Sequence, residues 1–432
     1  MISQKSVDRL VLGLPMADPE EAGFSSDRLA RIRPAMKKYI DCGMIPGSLT
    51  LAARHGRIVH FDMQGLMDVE ANKPMQEDAI FRLASMTKPI ACVALLMLYE
   101  EGHFLLDQPI SRYLPAFKNM AVKTQRDLTE PANREINFRD CLTHTAGFSS
   151  KAHGEIRTRI NAPSLGAASP VAANPVAIGD AGKLPRVGAS GSGPTVAQVV
   201  DELAKLPLNN HPGIYWEYNP GHDVVGVLVE TISGQTLDGF LKERIFDPLN
   251  MVDTHFYLPE EKLPRFAAGY AVDVNNGGRF GLVDRPESSE KVLGPKTYFS
   301  GAGGLISTPG DYARFAQMLL NGGILDGARI LGRKTIELMT TNHTGDLDVY
   351  VRGPGYGFGL GVFVRTSLSA NPLVGSLGAY GWGGAFCTSY FADPREDLFG
   401  LQFTQVRDYG QNRELVIRQD FERMVYQALV GD

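Results

Sequence analysis

The residues best placed to do chemistry lie in Phe81-Arg82-Leu83-Ala84-Ser85-Met86-Thr87-Lys88, where a lysine follows a serine by three positions. On a helix, residues three apart share a face, so the amine can approach the hydroxyl and help make it a nucleophile for acyl transfer. A helix that opens at Ser85 also presents unpaired N–H groups and a partial positive charge, which suit a developing oxyanion. The spacing alone is weak evidence, because a chain this long should hold about two such patterns by chance. A second copy does occur, Ser288-Ser289-Glu290-Lys291. It follows Pro286 in a polar stretch with no apolar helix behind it, which predicts a solvated loop and leaves Ser85 as the candidate nucleophile. No G-x-S-x-G elbow occurs, which argues against an α/β-hydrolase arrangement. The nine histidines show no H-E-x-x-H or comparable spacing, so no metal is expected.

The pair needs a rigid helix to hold it. A helix opening near Ser85 and running to about Glu101 supplies one, and its segment 90–98 is apolar on every side, which places it in the interior. Upstream, 25–42 reads as an amphipathic helix with Leu29, Ile32, Met36, Tyr39 and Ile40 on the buried stripe and Ser25 or Ser26 as cap. Strands at 48–54 and 57–63 turn at His55-Gly56. The middle third is mostly helical in pattern. It contains an Ala/Gly/Pro/Ser-rich stretch at 164–193 whose composition suits a long loop, either a pocket wall or a tolerated insertion. Beyond Pro264, 311–321 reads as a short helix and 356–364 as a strand. A hairpin is expected from 385–392 and 398–405, and a helix at 413–429 closes the chain. Strands at both ends with helices between imply a largely antiparallel sheet assembled from the two termini.

Composition narrows the function classes. The 432 residues carry 43 basic and 48 acidic side chains, a net charge of −5, which argues against nucleic acid as a partner. At 44% hydrophobic and 21% charged residues the chain can bury a large core without metal or disulfide staples. Cys42, Cys92, Cys141 and Cys387 show no C-x-x-C pairing and are expected as reduced core thiols. The longest apolar run, 90–98, is about half the ~18 residues needed to cross a bilayer, so no membrane span is expected. The mildly apolar 10–17 segment is flanked by Asp8 and Asp18 with no cleavage site after it, so a signal peptide is not expected and a cytoplasmic location is.

Taken together, these residues resemble the serine β-lactamase and penicillin-binding-protein-like superfamily, and within it the family VIII carboxylesterases, esterases on the class C β-lactamase fold. The resemblance spans nearly the whole chain. Besides Ser85-x-x-Lys88 it rests on Leu142-Thr143-His144-Thr145-Ala146-Gly147, Trp216-Glu217-Tyr218, Gly303-Gly304-Leu305-Ile306-Ser307-Thr308 and Trp382-Gly383-Gly384. It implies an α/β (α+β) fold, β-lactamase-like, with a central antiparallel sheet flanked by helices plus an all-helical domain. The α/β domain would be built from 1–84 and 265–432, and the helical one from 85–264.

The resemblance also assigns roles. Tyr218 fills the tyrosine of the second motif, where a phenol near Lys88 could take the serine proton and return it to the leaving alcohol as general base and acid. The asparagine usual two residues later is replaced by Pro220, with Asn219 one position early, a loss that bears on β-lactam or amide binding more than on ester cleavage. His343-Thr344-Gly345 matches the letters of the third motif but comes too early in the order. Trp382-Gly383-Gly384 resembles the version found in family VIII esterases. Its glycines let backbone approach substrate, Trp382 would line the substrate cleft, and the Ala385 N–H would join that of Ser85 as oxyanion hole. His144 and the His222-Asp223 pair are structural on this reading. The expected activity is hydrolysis of short-chain carboxylic esters through an acyl-enzyme on Ser85, with a small-molecule ester as partner and no cofactor. A β-lactamase, D-Ala peptidase or acyltransferase of the same fold, or a non-enzymatic sensor acylated once, are the alternatives.

Overall fold

The computed structural model describes residues 10–11, 13–124, 128–163, 193–218 and 220–431. Asn219 and all of the 164–193 stretch except Gly193 lie outside the described residues. The fold is the β-lactamase fold, mixed α/β around a large antiparallel sheet. Eight strands build it: β1 (Gly47–Arg54), β2 (Arg57–Asp68), β3 (Lys73–Pro74), β4 (Tyr356–Phe358), β5 (Phe363–Arg365), β6 (Tyr380–Gly383), β7 (Ser389–Asp393) and β8 (Leu398–Phe403). Their order is β4-β5-β6-β7-β8-β1-β2-β3. The β8–β1 pairing, with Leu401 opposite Leu51, joins the C-terminal strands to the N-terminal hairpin.

Every residue of β1 is buried, because helices cover both faces of the sheet. Alternate side chains go to opposite layers, as the pleat requires. Leu49, Leu51 and Ala53 join Phe399, Leu401 and Phe403 in one core, together with Phe315 of the covering helix Pro309–Leu320. Ala52 and Val59 join a second core with Ile32 and Met36 from helix Ile32–Asp41 and with Phe421 and Val425 from helix Ile417–Ala428. The first core runs on without interruption into the helical layer. There, α1 (Thr87–Glu100) is buried from Thr87 to Leu98 and packs beside α2 (Gly221–Ser233). Each large apolar side chain so buried contributes roughly 2 kcal/mol. No single helix among the described residues is long and apolar enough to cross a membrane.

Four expectations need correction. The 25–42 helix breaks into Ser26–Leu29 and Ile32–Asp41. Pro34 has no N–H for the Ala30 carbonyl, and its ring crowds that oxygen. Ser25 is the cap, its hydroxyl accepting from the Arg28 N–H. The single strand expected at 356–364 is a hairpin, β4–β5, closed by the Gly359 N–H donating to the Val362 carbonyl at 2.8 Å. Gly361 makes the reversal possible with a φ of +94°, and a Cβ there would strike Cys92 Sγ. The strand expected at 385–392 starts only at Ser389, because 384–388 forms a loop in which the Gly384 N–H donates to the Thr388 carbonyl. Finally, Cys42 is exposed, whereas Cys92, Cys141 and Cys387 are buried and burial pushes their thiols upward. A disulfide-exchange reagent should therefore titrate one thiol in the native protein and all four after denaturation. Two or more fast-reacting native thiols would contradict the packing around α1 and β6.

Candidate active site

Ser85 sits on a single 3₁₀ turn, Ala84–Met86, that leads straight into α1. Lys88, on the first turn of α1, follows three residues later on the same face as Ser85. Ala84, immediately before the serine, is held at φ +46°, a conformation that costs an alanine roughly 1 kcal/mol or more. The turn is kept there by its surroundings. The Leu83 N–H donates to the Leu305 carbonyl, and the Leu305 N–H to Thr87 Oγ1, both at 3.0 Å. The Gly303–Thr308 motif thus lies along the nucleophile's turn, and a Cβ on Gly304 would strike the Phe256 ring. Just upstream, the buried Arg82 donates to Asp284 at 2.7 Å and to the Ala267 carbonyl at 2.6 Å.

Two groups converge on the serine oxygen. The Lys88 ammonium donates to Ser85 Oγ at 3.1 Å and to the Ala302 carbonyl at 2.6 Å. The Tyr218 hydroxyl donates to the same Oγ at 2.6 Å, and Lys88 Nζ lies 4.6 Å from the centre of the Tyr218 ring. Tyr218 belongs to no regular element, so its position is set by its flanks. The Glu217 N–H donates to the His144 carbonyl, and Glu217 itself accepts from the Ser150 N–H and from Asn209. The Tyr218 N–H donates to the Tyr350 hydroxyl. Behind the ring stand Trp216, near-parallel at 5.9 Å, and His144 at 4.8 Å. His144 reaches that place because it caps helix Phe138–Thr143 in the left-handed conformation. The Leu142–Gly147 motif therefore builds the wall behind the phenol. His144 and His222 are both well below the usual histidine range, because burial and then nearby charge, Lys88 included, disfavour their protonated forms.

The Trp382 motif comes in from the sheet. Gly384 lies so close to the nucleophile's turn that a Cβ on it would be 2.2 Å from the Leu83 carbonyl and 2.3 Å from Thr388 Oγ1. Ala385 is the next residue along this loop. Arg418 clamps the loop by donating to the carbonyls of Gly384, at 2.5 Å, and Thr388, at 2.7 Å, and its guanidinium occupies the space beside Gly383. Trp382 is only 4% exposed. Its ring packs against Tyr218, Phe358 and Phe363, so it meets the site through the phenol's flank.

The second serine–lysine pattern does not lie in a solvated loop. Ser288 is exposed, but Ser289 is buried, donating to Asp284 at 3.1 Å and accepting from Arg82 at 3.3 Å. Lys291 opens onto a cavity, where its ammonium donates to the Gly304 carbonyl. The polar letters at 285–291 hid this, because Arg82 recruits them from about 200 positions away. His343 belongs to another network, with Arg139 and the Leu338 carbonyl as partners.

Asp223, read from the sequence as structural, bears on the site through its partners. Asp223, buried at the start of α2, accepts from His153 at 2.9 Å and from Ser300 at 2.5 Å, and the Ala302 N–H reaches it at 3.3 Å. Burial by itself would raise this carboxyl. The hydrogen bond and field of His153, the charge of Arg157 and the Ser300 hydroxyl outweigh that and hold it down at about 2. Asp223 thereby fixes the loop whose Ala302 carbonyl anchors Lys88. No local pattern signals this, since all three partners come from distant segments.

A fold of this kind, with serine, lysine and tyrosine meeting at one oxygen, defines a class of acyl-transfer proteins, and the sequence matches the beta-lactamase family over residues 32–422. The chain belongs to that family and is a serine hydrolase or acyltransferase of its fold. It is 33% identical over 384 residues to protein Rv1367c of Mycobacterium tuberculosis, covering 86% of this chain and 88% of that one. It is 29% identical over 419 residues to esterase EstB of Burkholderia gladioli, covering 93% and 97%. Among solved structures it is similar to EstCE1, described as a hydrolase with promiscuous acyltransferase activity, at 25% identity and a TM-score of 0.71 over 94% of this chain and 99% of that one.

Proposed function

We propose that this chain is a serine carboxylesterase that cleaves short-chain esters through an acyl-enzyme on Ser85. The observation that carries this reading is the convergence of Tyr218 Oη and Lys88 Nζ on Ser85 Oγ, at 2.6 and 3.1 Å. Tyr218, as the phenolate that the Lys88 ammonium stabilises, takes the serine proton as Oγ attacks the ester carbonyl and becomes the neutral phenol. The amides of Ser85 and Ala385 receive the oxyanion. Tyr218 then passes its proton to the leaving alcohol. In the second half, water attacks the acyl carbonyl, gives its proton to Tyr218, and Ser85 leaves with that proton restored. Similarity to EstB and EstCE1 supports an ester as substrate.

A fluorophosphonate probe followed by peptide mass spectrometry tests the nucleophile directly. Ser85 should carry the adduct, and labelling at any other serine would sink the proposal. Gly384→Ala should push the Ala385 amide off the Ser85 turn. A displacement near 1 Å is enough to lower kcat/KM by about 10²-fold while the circular dichroism stays native. Full activity in that variant would remove Ala385 from the oxyanion hole. Acyl transfer to an added alcohol is the second reading, favoured by the description of EstCE1. Under that reading, ester exchange would outrun hydrolysis at modest alcohol concentrations.

A further inference from the structure

A cavity of about 480 Å³ opens beside the catalytic turn. Three of its lining residues tie it to that turn. Ala84 directly precedes Ser85, Phe386 directly follows Ala385, and Gly303 follows the residue whose carbonyl anchors Lys88. Its wall thus includes the immediate chain neighbours of Ser85, Ala385 and Ala302. The charge around it is unbalanced, with Arg82, Arg285, Lys291 and Arg407 against Asp284 and Glu290. Asp284 is already engaged by Arg82 at 2.7 Å. Arg407 lies 3.3 Å from Asp408, which is not part of the lining. Lys291 donates to the Gly304 carbonyl at 2.5 Å, and Arg285 is an exposed member of the lining. Burial and then the charge of Arg82 push the Lys291 ammonium down to about 8, against the opposing pull of Glu290 and Asp284. The lining residues therefore carry four cations against two carboxylates. Leu282, Leu305 and Phe386 supply apolar wall.

We propose that this cavity receives the acyl part of half-esters of short dicarboxylic acids, with methylenes against Leu305 and Phe386 and the free carboxylate at Lys291 and Arg285. The volume suits a small ligand, and an ionised carboxylate meets both cations through charge-assisted hydrogen bonds. This rests on the esterase reading of Ser85, deepening it by naming the acid that the ester contains.

The test compares 4-nitrophenyl hydrogen adipate with 4-nitrophenyl hexanoate, which share acyl length and leaving group and differ in the terminal carboxylate. The half-ester should be preferred by about tenfold or more in kcat/KM, mostly through KM, and the preference should shrink as salt is raised. Lys291→Met should bring the ratio near one, and Arg285→Ala should lower it several-fold. Turnover of the hexanoate with no preference for the half-ester overturns this inference and leaves the esterase reading standing. Turnover of neither ester strikes the esterase reading itself. A folded Lys291→Met enzyme that keeps the ratio also overturns the inference. Should that variant fail to fold, Arg285→Ala decides, because its side chain is exposed and an unchanged ratio there has the same consequence.

Discussion

Replacing Ser85 with alanine is expected to lower kcat for 4-nitrophenyl butyrate by about 10⁴-fold or more. Ser288→Ala, at the exposed serine of the second serine–lysine pattern, is expected to leave kcat/KM within about twofold. The contrast follows from geometry. Ser85 Oγ has an amine and a phenol within hydrogen-bond distance, whereas Ser288 is exposed and its buried neighbour Ser289 is committed to Asp284 and Arg82. Tyr218→Phe and Lys88→Ala should each lower kcat by something like 10²–10⁴, the span for a lost general base or its support. Combined with Ser85→Ala they should add little, because the three groups act as one unit. Steady-state rates for the single and double variants check this. Full activity in Tyr218→Phe would end the role assigned to the phenol, and equal losses in Ser85→Ala and Ser288→Ala would end the assignment of the nucleophile.

Asp223→Ala is expected to destabilise the protein by about 3–5 kcal/mol, because it strands His153, Ser300 and the Ala302 N–H around a buried gap. The wild-type carboxyl also gives this contribution a pH dependence of fixed sign. Its folded value, about 2, lies below the ordinary 3.8, so the unfolded chain binds more protons between them. The stabilisation, about 2 kcal/mol from this group, is fully present above the unfolded value and is lost as pH falls through the folded one. Urea unfolding at neutral pH and across pH 2 to 5 should show a lower midpoint for Asp223→Ala and a flatter acid limb. Because Ala302 anchors Lys88, Asp223→Asn should lower kcat more than it alters KM. An unfolding midpoint like that of wild type would show that the Ser300–Ala302 loop is held by something else.

Local features were the legible ones. The β1–β2 hairpin and the buried helix α1 follow from patterns within about twenty residues, where apolar period and a glycine turn decide the outcome. The same patterns misled at β4–β5. An apolar run at 356–364 satisfies a strand template equally well as one long strand or two short ones, and the choice was made by Gly361 against Cys92 of α1. The tryptophan of the third motif shows a similar ambiguity. Its type suits a cleft wall, but packing among Tyr218, Phe358 and Phe363 buries it. Burial of Ser289 within the polar 285–291 stretch was illegible for an electrostatic reason, since a buried arginine must gather polar partners wherever the chain can supply them.

The amino-acid order by itself determined that the Ser85 hydroxyl and the Lys88 amine meet, since residues three apart at the head of an apolar helix do so without help from the rest of the chain. It also determined the family, because several ordered motifs across the whole length leave few other folds open. Tertiary structure alone decided that the Tyr218 phenol lands 2.6 Å from Ser85, that Asp223 steadies the carbonyl holding Lys88, and that cations crowd the cavity behind Ala84. Those outcomes depend on contacts between residues separated by 70 to 214 positions. Closing such distances is repaid only by burial of the whole core, and no local pattern carries that information.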